Sequence, residues 1–143
     1  MPRQRFLRLV ALPESVCEAR AHVRGLLEEW GRADLVDAAE MVASELASNA
    51  VKATQEVRRS RPVGEAGRRA GVGVMGLSVY QVDGLVVVEM WDCTREPPRL
   101  LEAGPDAESG RGLWLVDALS AGWGYRRPKT GGKVVYATLE AGL

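Results

Sequence analysis

Glu45 and Asn49 are the first pair of residues in this 143-residue chain whose types and spacing could do chemistry. They are four positions apart, so a helix places both side chains on one face, about one turn from each other. A carboxylate there can orient a nucleophile, and an amide oxygen can bind Mg²⁺ without adding charge. Taken alone, the pair is explained as well by the polar edge of an amphipathic helix.

A second candidate is Asp92, which ends the apolar segment 86–92 just before a proline-rich stretch. A carboxylate at the end of a strand can accept a hydrogen bond from an exocyclic amine such as the N6 group of adenine. An isolated aspartate at such a position is more often a turn former. Asp92 therefore indicates a nucleotide contact only together with other residues.

The third candidate is the glycine-rich segment Gly110-Arg111-Gly112, which opens a predicted helix at Leu113. Glycine lets the backbone approach a phosphate closely, and a helix N-terminus offers free N–H groups. Arg111 could add a charge-assisted contact. The same pattern is common at junctions between loops and helices that bind nothing.

Periodicity predicts the elements that carry these residues. Alternation predicts a strand over 6–12, and helical spacing predicts a helix from Val16 to Trp30, ended by Gly31. A second helix is predicted from Asp34, as its N-cap, to Thr54, with a buried stripe. The stripe comprises Leu35, Ala39, Val42, Leu46, Ala50 and Ala53.

The second half of the chain predicts two hairpins around a helix. The predicted elements are the strands Val74–Gln81 and Leu85–Trp91, a helix from Leu113 to about Ala121 stopped by Gly122, and the strands Trp123–Arg127 and Lys133–Glu140. Asp83-Gly84 is a strong signal for the first hairpin turn. Short hairpins predict a mixed, mostly antiparallel sheet with helices on one face, in a two-layer α/β sandwich formed by one domain, residues 1–143.

Composition narrows the classes of function. Nineteen basic and nineteen acidic residues cancel, which argues against a domain that binds nucleic acid or membranes with its whole surface. No segment approaches the ~20 apolar residues that span a bilayer, and no signal-peptide core is seen, so we expect a cytoplasmic protein. Two cysteines without CxxC spacing favour reduced thiols, and we expect Cys93 to be a small buried thiol. The single histidine, His22, excludes a histidine-rich metal site.

Together, in this order and at these distances, the three segments resemble the motif set of the histidine-kinase-like (Bergerat) ATPases. Glu45 and Asn49 resemble the N-box, Asp92 the adenine-contacting aspartate of the first glycine box, and 110–113 the second glycine box. The segment 131–136 resembles the last motif. The resemblance runs from about Leu7 to Leu139 and implies a sandwich with the nucleotide bound between helices and a lid.

Within that superfamily the chain is most similar in length to the small anti-sigma-factor serine/threonine kinases. The resemblance implies binding of ATP and Mg²⁺, and transfer of the γ-phosphate to a serine or threonine of an anti-anti-sigma (STAS-type) partner. It gives Glu45 the role of assisting the attacking hydroxyl and Asn49 that of holding the metal. It also suggests a homodimer and a sigma factor as a second partner. Further nucleotide contacts implied are Lys52, Asp92, Thr94, Gly110, Arg111, Gly112, Leu113 and Lys133.

The first glycine box departs from the family pattern. Its usual form is D-x-G-x-G, whereas residues 92–96 of this chain contain no glycine and are followed by two prolines. Three functions therefore stay open: an active kinase that also sequesters a sigma factor, an adaptor that acts only through protein contacts, and an ATPase-type machine. The lack of a transducer domain argues against the third.

An arginine-rich segment separates the second helix from the first hairpin. Residues 58–73 show no apolar period and predict a mobile surface loop. Its five arginines are Arg58, Arg59, Arg61, Arg68 and Arg69. The segment is either a solvated loop or a docking surface for an acidic partner.

Overall fold

The computed structural model describes residues 5–59, 73–98 and 108–141. In chain order the elements are β1 (Phe6–Val10), α1 (Ser15–Glu29), a 3₁₀ turn (Ala33–Leu35), α2 (Val36–Arg59), β2 (Val74–Val82), β3 (Leu85–Asp92), α3 (Glu108–Leu119), β4 (Gly122–Arg126) and β5 (Lys133–Leu139). Within the described parts, no helix combines the length and the apolar character that a membrane span requires.

The five strands form one sheet in the order β1-β2-β3-β5-β4, and every pair in it is antiparallel. The prediction of a mostly antiparallel sheet is confirmed, and the described sheet lacks the parallel pair that it allowed. Asp83 and Gly84 both have positive φ, 48° and 82°, as a two-residue hairpin turn requires. Short turns of this kind reverse the chain and leave no room for a parallel crossover.

The sheet has a helix-facing side and an outer side, because successive side chains of a strand point in opposite directions. Leu77, Val88 and Val135 belong to the helix-facing side and lie with α1 and α2 in one buried core. The central strand β3 lies beneath α2. The predicted two-layer sandwich with helices on one face is thus confirmed.

The first two helices form where the sequence predicts them, but their first and last residues differ from the predicted ones. Gly31, with φ of 71°, ends α1, and the Arg32 amide donates back to the Leu27 carbonyl at 2.8 Å. Asp34 is not an N-cap, because it lies within the 3₁₀ turn, where Arg32 contacts its carboxylate at 3.2 Å. The helix α2 continues past Thr54 to Arg59, and Thr54 is buried where Ala53 was expected.

The third helix, α3, begins at Glu108, before the glycines that were predicted to open it. Gly110 and Gly112 therefore lie inside the helix, near its start, where glycine weakens a helix by only about 1 kcal/mol per residue. Leu113 and Val116 are buried, and α3 packs against α2. The helix ends at Leu119 rather than near Ala121, because the Ala121 amide already bonds to Thr138 of β5 at 2.8 Å.

The predictions for the two cysteines and for the arginine-rich segment are each wrong in part. Cys17 and Cys93 are free thiols, as predicted, but Cys93 is exposed, whereas its small apolar side chain was expected to be buried. It follows Asp92 at the end of β3, where the chain leaves the sheet. Of the arginine-rich segment, Arg58 and Arg59 belong to α2 and not to a loop as predicted. Residues 60–72 lie outside the described parts of the chain.

Candidate functional site

Asp92 is the last residue of β3, and it lies on the helix-facing side of the sheet. Its register partner is Lys133, the first residue of β5. Both side chains are only 1% exposed. A buried carboxylate and a buried ammonium therefore face each other at the end of two central strands, where charged side chains are rare unless paired.

One oxygen of Asp92 carries all of its hydrogen bonds. Oδ1 accepts from the Thr94 amide at 2.8 Å, from the Thr94 hydroxyl at 2.6 Å and from Lys133 Nζ at 3.2 Å. Lys133 Nζ also donates to the Thr94 hydroxyl oxygen at 2.7 Å. All hydrogen bonds to the carboxylate in this Asp92–Thr94–Lys133 cluster thus go to Oδ1.

The other oxygen, Oδ2, is buried and accepts no hydrogen bond. Lys133 Nζ lies 3.0 Å from it in an ion pair, although the hydrogen bond of the ammonium to this carboxylate goes to Oδ1. The charge of Lys133 stabilises Oδ2, which can still accept a hydrogen bond. An exocyclic amine is the kind of donor that this oxygen lacks, so the cluster fits the adenine contact that the sequence predicts for Asp92.

Arginine bonds fix the loop that follows Asp92, although it lacks the usual glycines. Arg95 donates to the carbonyls of Pro128 at 3.0 Å and Gly132 at 3.3 Å. Arg127 donates in return to the Arg95 carbonyl at 2.8 Å. These bonds tie the first-box loop to the β4–β5 hairpin, so the departure from D-x-G-x-G leaves a loop with defined anchors.

The local geometry requires glycine at position 132 of the last motif. Its φ is 76°, and an added Cβ would overlap the carbonyl oxygen of Asp92 and lie 2.6 Å from the indole nitrogen of Trp91. That indole nitrogen donates to the Gly131 carbonyl at 3.0 Å. The glycine thus lets the hairpin lie directly against the end of β3, beside the Asp92 cluster.

The N-box residues lie on α2. Glu45 and Asn49 are half-buried, and Lys52 is exposed. The C-terminal part of the same helix reaches the end of β3: a Cβ at Gly73 would lie 2.6 Å from Thr54 Cγ2 and 4.0 Å from Cys93 Sγ. The roles assigned to Glu45, Asn49 and Lys52 remain predictions.

The second glycine box lies at the start of α3. Gly110, Arg111 and Gly112 belong to its first turns, and Leu113 is buried. The side chain of Arg111 lies outside the described atoms. The N–H groups without intrahelical partners are those of the first helical residues, so Gly110 keeps this property, whereas Gly112 and Leu113 lie beyond them. The contact of this segment with a nucleotide remains a prediction.

Sequence reasoning missed Arg95, Arg127 and the buried hydroxyl of Thr54, whose oxygen has no hydrogen-bond partner. It named Thr94 and Lys133 from the motifs but not their mutual bonds. The pairing of Asp92 with Lys133 depends on the register of β3 against β5, which no local pattern specifies. Burial of Thr54 could have been predicted, because it follows the buried Ala47 and Ala50 at helical spacing.

A second charged cluster lies on the outer side of the sheet. Glu89 accepts from the Tyr80 hydroxyl at 2.6 Å and from both terminal nitrogens of Arg126, at 3.1 and 3.3 Å. Burial, followed by the hydrogen bond to Glu89 and its charge, raises the pKa of Tyr80 to about 12. The hydrogen bond to Glu89 also raises the pKa of Arg126. The cluster borders a shallow cavity of about 280 Å³.

Comparison with known families agrees with the sequence motifs. Residues 9–139 match the family described as the histidine kinase-like ATPase domain. No curated protein sequence matches the chain. The matched range includes all three motif segments and the last hairpin, and it covers most of the chain. This protein therefore belongs to the histidine kinase-like ATPase domain family.

Proposed function

We propose that this protein binds ATP with Mg²⁺ and transfers the γ-phosphate to a serine or threonine of an anti-anti-sigma (STAS-type) partner, and that it also sequesters a sigma factor. Membership of an ATPase domain family supports nucleotide binding. The observation that carries the proposal is Asp92 Oδ2, a buried acceptor without a hydrogen bond at the end of β3. It has the chemistry that the adenine amine requires.

Residues on different elements would contact the base, the metal ion and the phosphates. Asp92, supported by Thr94 and Lys133, would hold the base. Asn49 would hold Mg²⁺ through its amide oxygen, and the metal would supply positive charge to offset that of the phosphates. The N-terminal turn of α3 would present backbone N–H groups to phosphate oxygens.

Glu45 would supply the protein's part of the chemical step. Its carboxylate would accept the proton of the partner's hydroxyl as the hydroxyl oxygen bonds to the γ-phosphorus and ADP leaves. Asn49 is one turn further along α2, so base and metal ligand would share one rigid element. Phosphoryl transfer depends mainly on positioning and charge stabilisation, so this small set of groups is sufficient.

The test is a phosphotransfer assay with radiolabelled ATP, Mg²⁺ and recombinant STAS-domain proteins from the source organism. We expect label on a serine or threonine of one partner, loss of transfer with unchanged ATP binding in Glu45→Gln, and loss of the Mg²⁺ dependence of binding in Asn49→Ala. Glu56→Gln, at an exposed position of the same helix, is the matched control and should transfer normally. Tight ATP binding without transfer to any STAS protein would contradict the kinase part and favour the adaptor.

A further inference from the structure

We infer that Lys133 is a base-reading residue: its ammonium donates to a ring nitrogen of adenine beside the amine that Asp92 accepts. The inference rests on the proposed nucleotide binding and adds a specificity determinant to it. It starts from the donor count of the buried cluster. An ammonium has three N–H donors, and Lys133 directs one to Thr94 Oγ1 and one to Asp92 Oδ1.

The remaining donor lies beside the remaining acceptor. Lys133 Nζ is 3.0 Å from Asp92 Oδ2, the oxygen that accepts no hydrogen bond. The cluster therefore presents one hydrogen-bond acceptor and one donor side by side. Both side chains are 1% exposed, so a group that reaches them is shielded from competition by water.

Adenine carries the complementary pair. Its exocyclic amine is a donor, and it is flanked by the ring nitrogens N1 and N7, both acceptors. If Asp92 Oδ2 accepts from the amine, Lys133 Nζ is placed to donate to the ring nitrogen on one side of it. A phosphate is disfavoured at the same donor, because its negative charge would lie beside the buried Asp92 carboxylate.

Base analogues test this inference on the wild-type protein. The measurement is the dissociation constant, by calorimetry with Mg²⁺, of ATP, 1-deaza-ATP and 7-deaza-ATP, each of which lacks one ring nitrogen but keeps the amine. We expect one of the two analogues to bind about ten- to a hundredfold more weakly than ATP, because it lacks a charge-assisted acceptor. The other should bind within about twofold of ATP.

The variant Lys133→Met removes the donor and keeps the length of the side chain. If it folds, as circular dichroism would report, ATP and the weakened analogue should bind it equally. The inference is wrong if wild type binds both deaza analogues as tightly as ATP, a result that leaves the proposed function intact. Failure of ATP itself to bind would remove the proposed function and this inference with it.

Discussion

Two acidic side chains of β3, three residues apart, form ion pairs on opposite sides of the sheet and differ in how fully they are satisfied. Glu89 is 13% exposed; Arg126 donates to both of its oxygens, and Tyr80 donates to one of them. Asp92 is 1% exposed, and all its hydrogen bonds go to one oxygen. The outer pair is complete within the chain, whereas the buried pair keeps one acceptor for a partner from outside.

This difference shows why an ion pair by itself does not mark a binding site. The Glu89 cluster needs no ligand, since its partners are already in place and Arg126 is 54% exposed. The Asp92 cluster pairs Oδ2 with the charge of Lys133 but gives it no hydrogen bond. A ligand donor at Oδ2 would supply one. The comparison therefore predicts which of the two pairs matters for function.

The largest expected effect is that of removing the cation from each pair. Lys133→Met leaves the Asp92 charge buried without its partner, so we expect the free energy of unfolding to fall by about 3–5 kcal/mol. Arg126→Met removes a partner that is largely solvated, and it should change stability by less than about 1 kcal/mol. Urea denaturation of both variants measures the difference, and equal losses would contradict the comparison.

Neutralising both members of the buried pair sharpens the first prediction. Adding Asp92→Asn to Lys133→Met removes the uncompensated charge, so the double variant should recover about 2 kcal/mol relative to Lys133→Met alone. The measurement is again urea unfolding, read as a double-mutant cycle. Additive losses would show that the two side chains do not interact in the folded protein.

The outer cluster should respond to alkaline pH through Tyr80. Folding raises the pKa of Tyr80 from 10.0 to about 12, so the unfolded chain releases this proton first as pH rises. The associated stability is present below pH 10 and is lost as pH rises from about 10 to about 12. Unfolding free energies at pH 9 and pH 11 should fall more steeply for wild type than for Tyr80→Phe, and parallel slopes would contradict this assignment.

A smaller effect is expected at Thr54 of α2, whose buried hydroxyl oxygen also has no hydrogen-bond partner. Thr54→Val keeps the shape of the side chain and removes the unsatisfied hydroxyl, so it should stabilise the protein by about 1 kcal/mol. Thermal melts measure the change, with Thr138→Val as a control, because the Thr138 hydroxyl donates to the Gly122 carbonyl at 3.3 Å. Destabilisation of Thr54→Val would mean that the hydroxyl is bonded in solution.

The sequence predicted the kinds of element well and their ends less well. Alternation identified β1, and Asp83-Gly84 identified the turn between β2 and β3, because both signals are local. The end of α2 at Arg59 and the start of α3 at Glu108 differ from the predicted ends, because helical periodicity specifies a helix better than its first and last residues. Asp34 was misassigned because a polar residue before a helix predicts an N-cap equally well when it lies in a 3₁₀ turn.

The candidate site was predictable in its residues and not in its bonds. Asp92, Thr94 and Lys133 were all named from motifs, but their connection depends on a register between β3 and β5 that brings together residues about forty positions apart. The anchors Arg95 and Arg127 carry no motif at all. The local sequence therefore indicated where chemistry is concentrated, and the sheet determined which atoms meet.

The central claim is that the buried, incompletely satisfied Asp92 cluster is a nucleotide site. The direct test is calorimetric titration of ATP with Mg²⁺ into wild type, Asp92→Asn and Glu89→Gln, the last being the matched change in the outer pair. The account predicts binding by wild type, at least tenfold weaker binding by Asp92→Asn, and binding within about twofold of wild type by Glu89→Gln. No binding by wild type, or equal losses in the two variants, would contradict it.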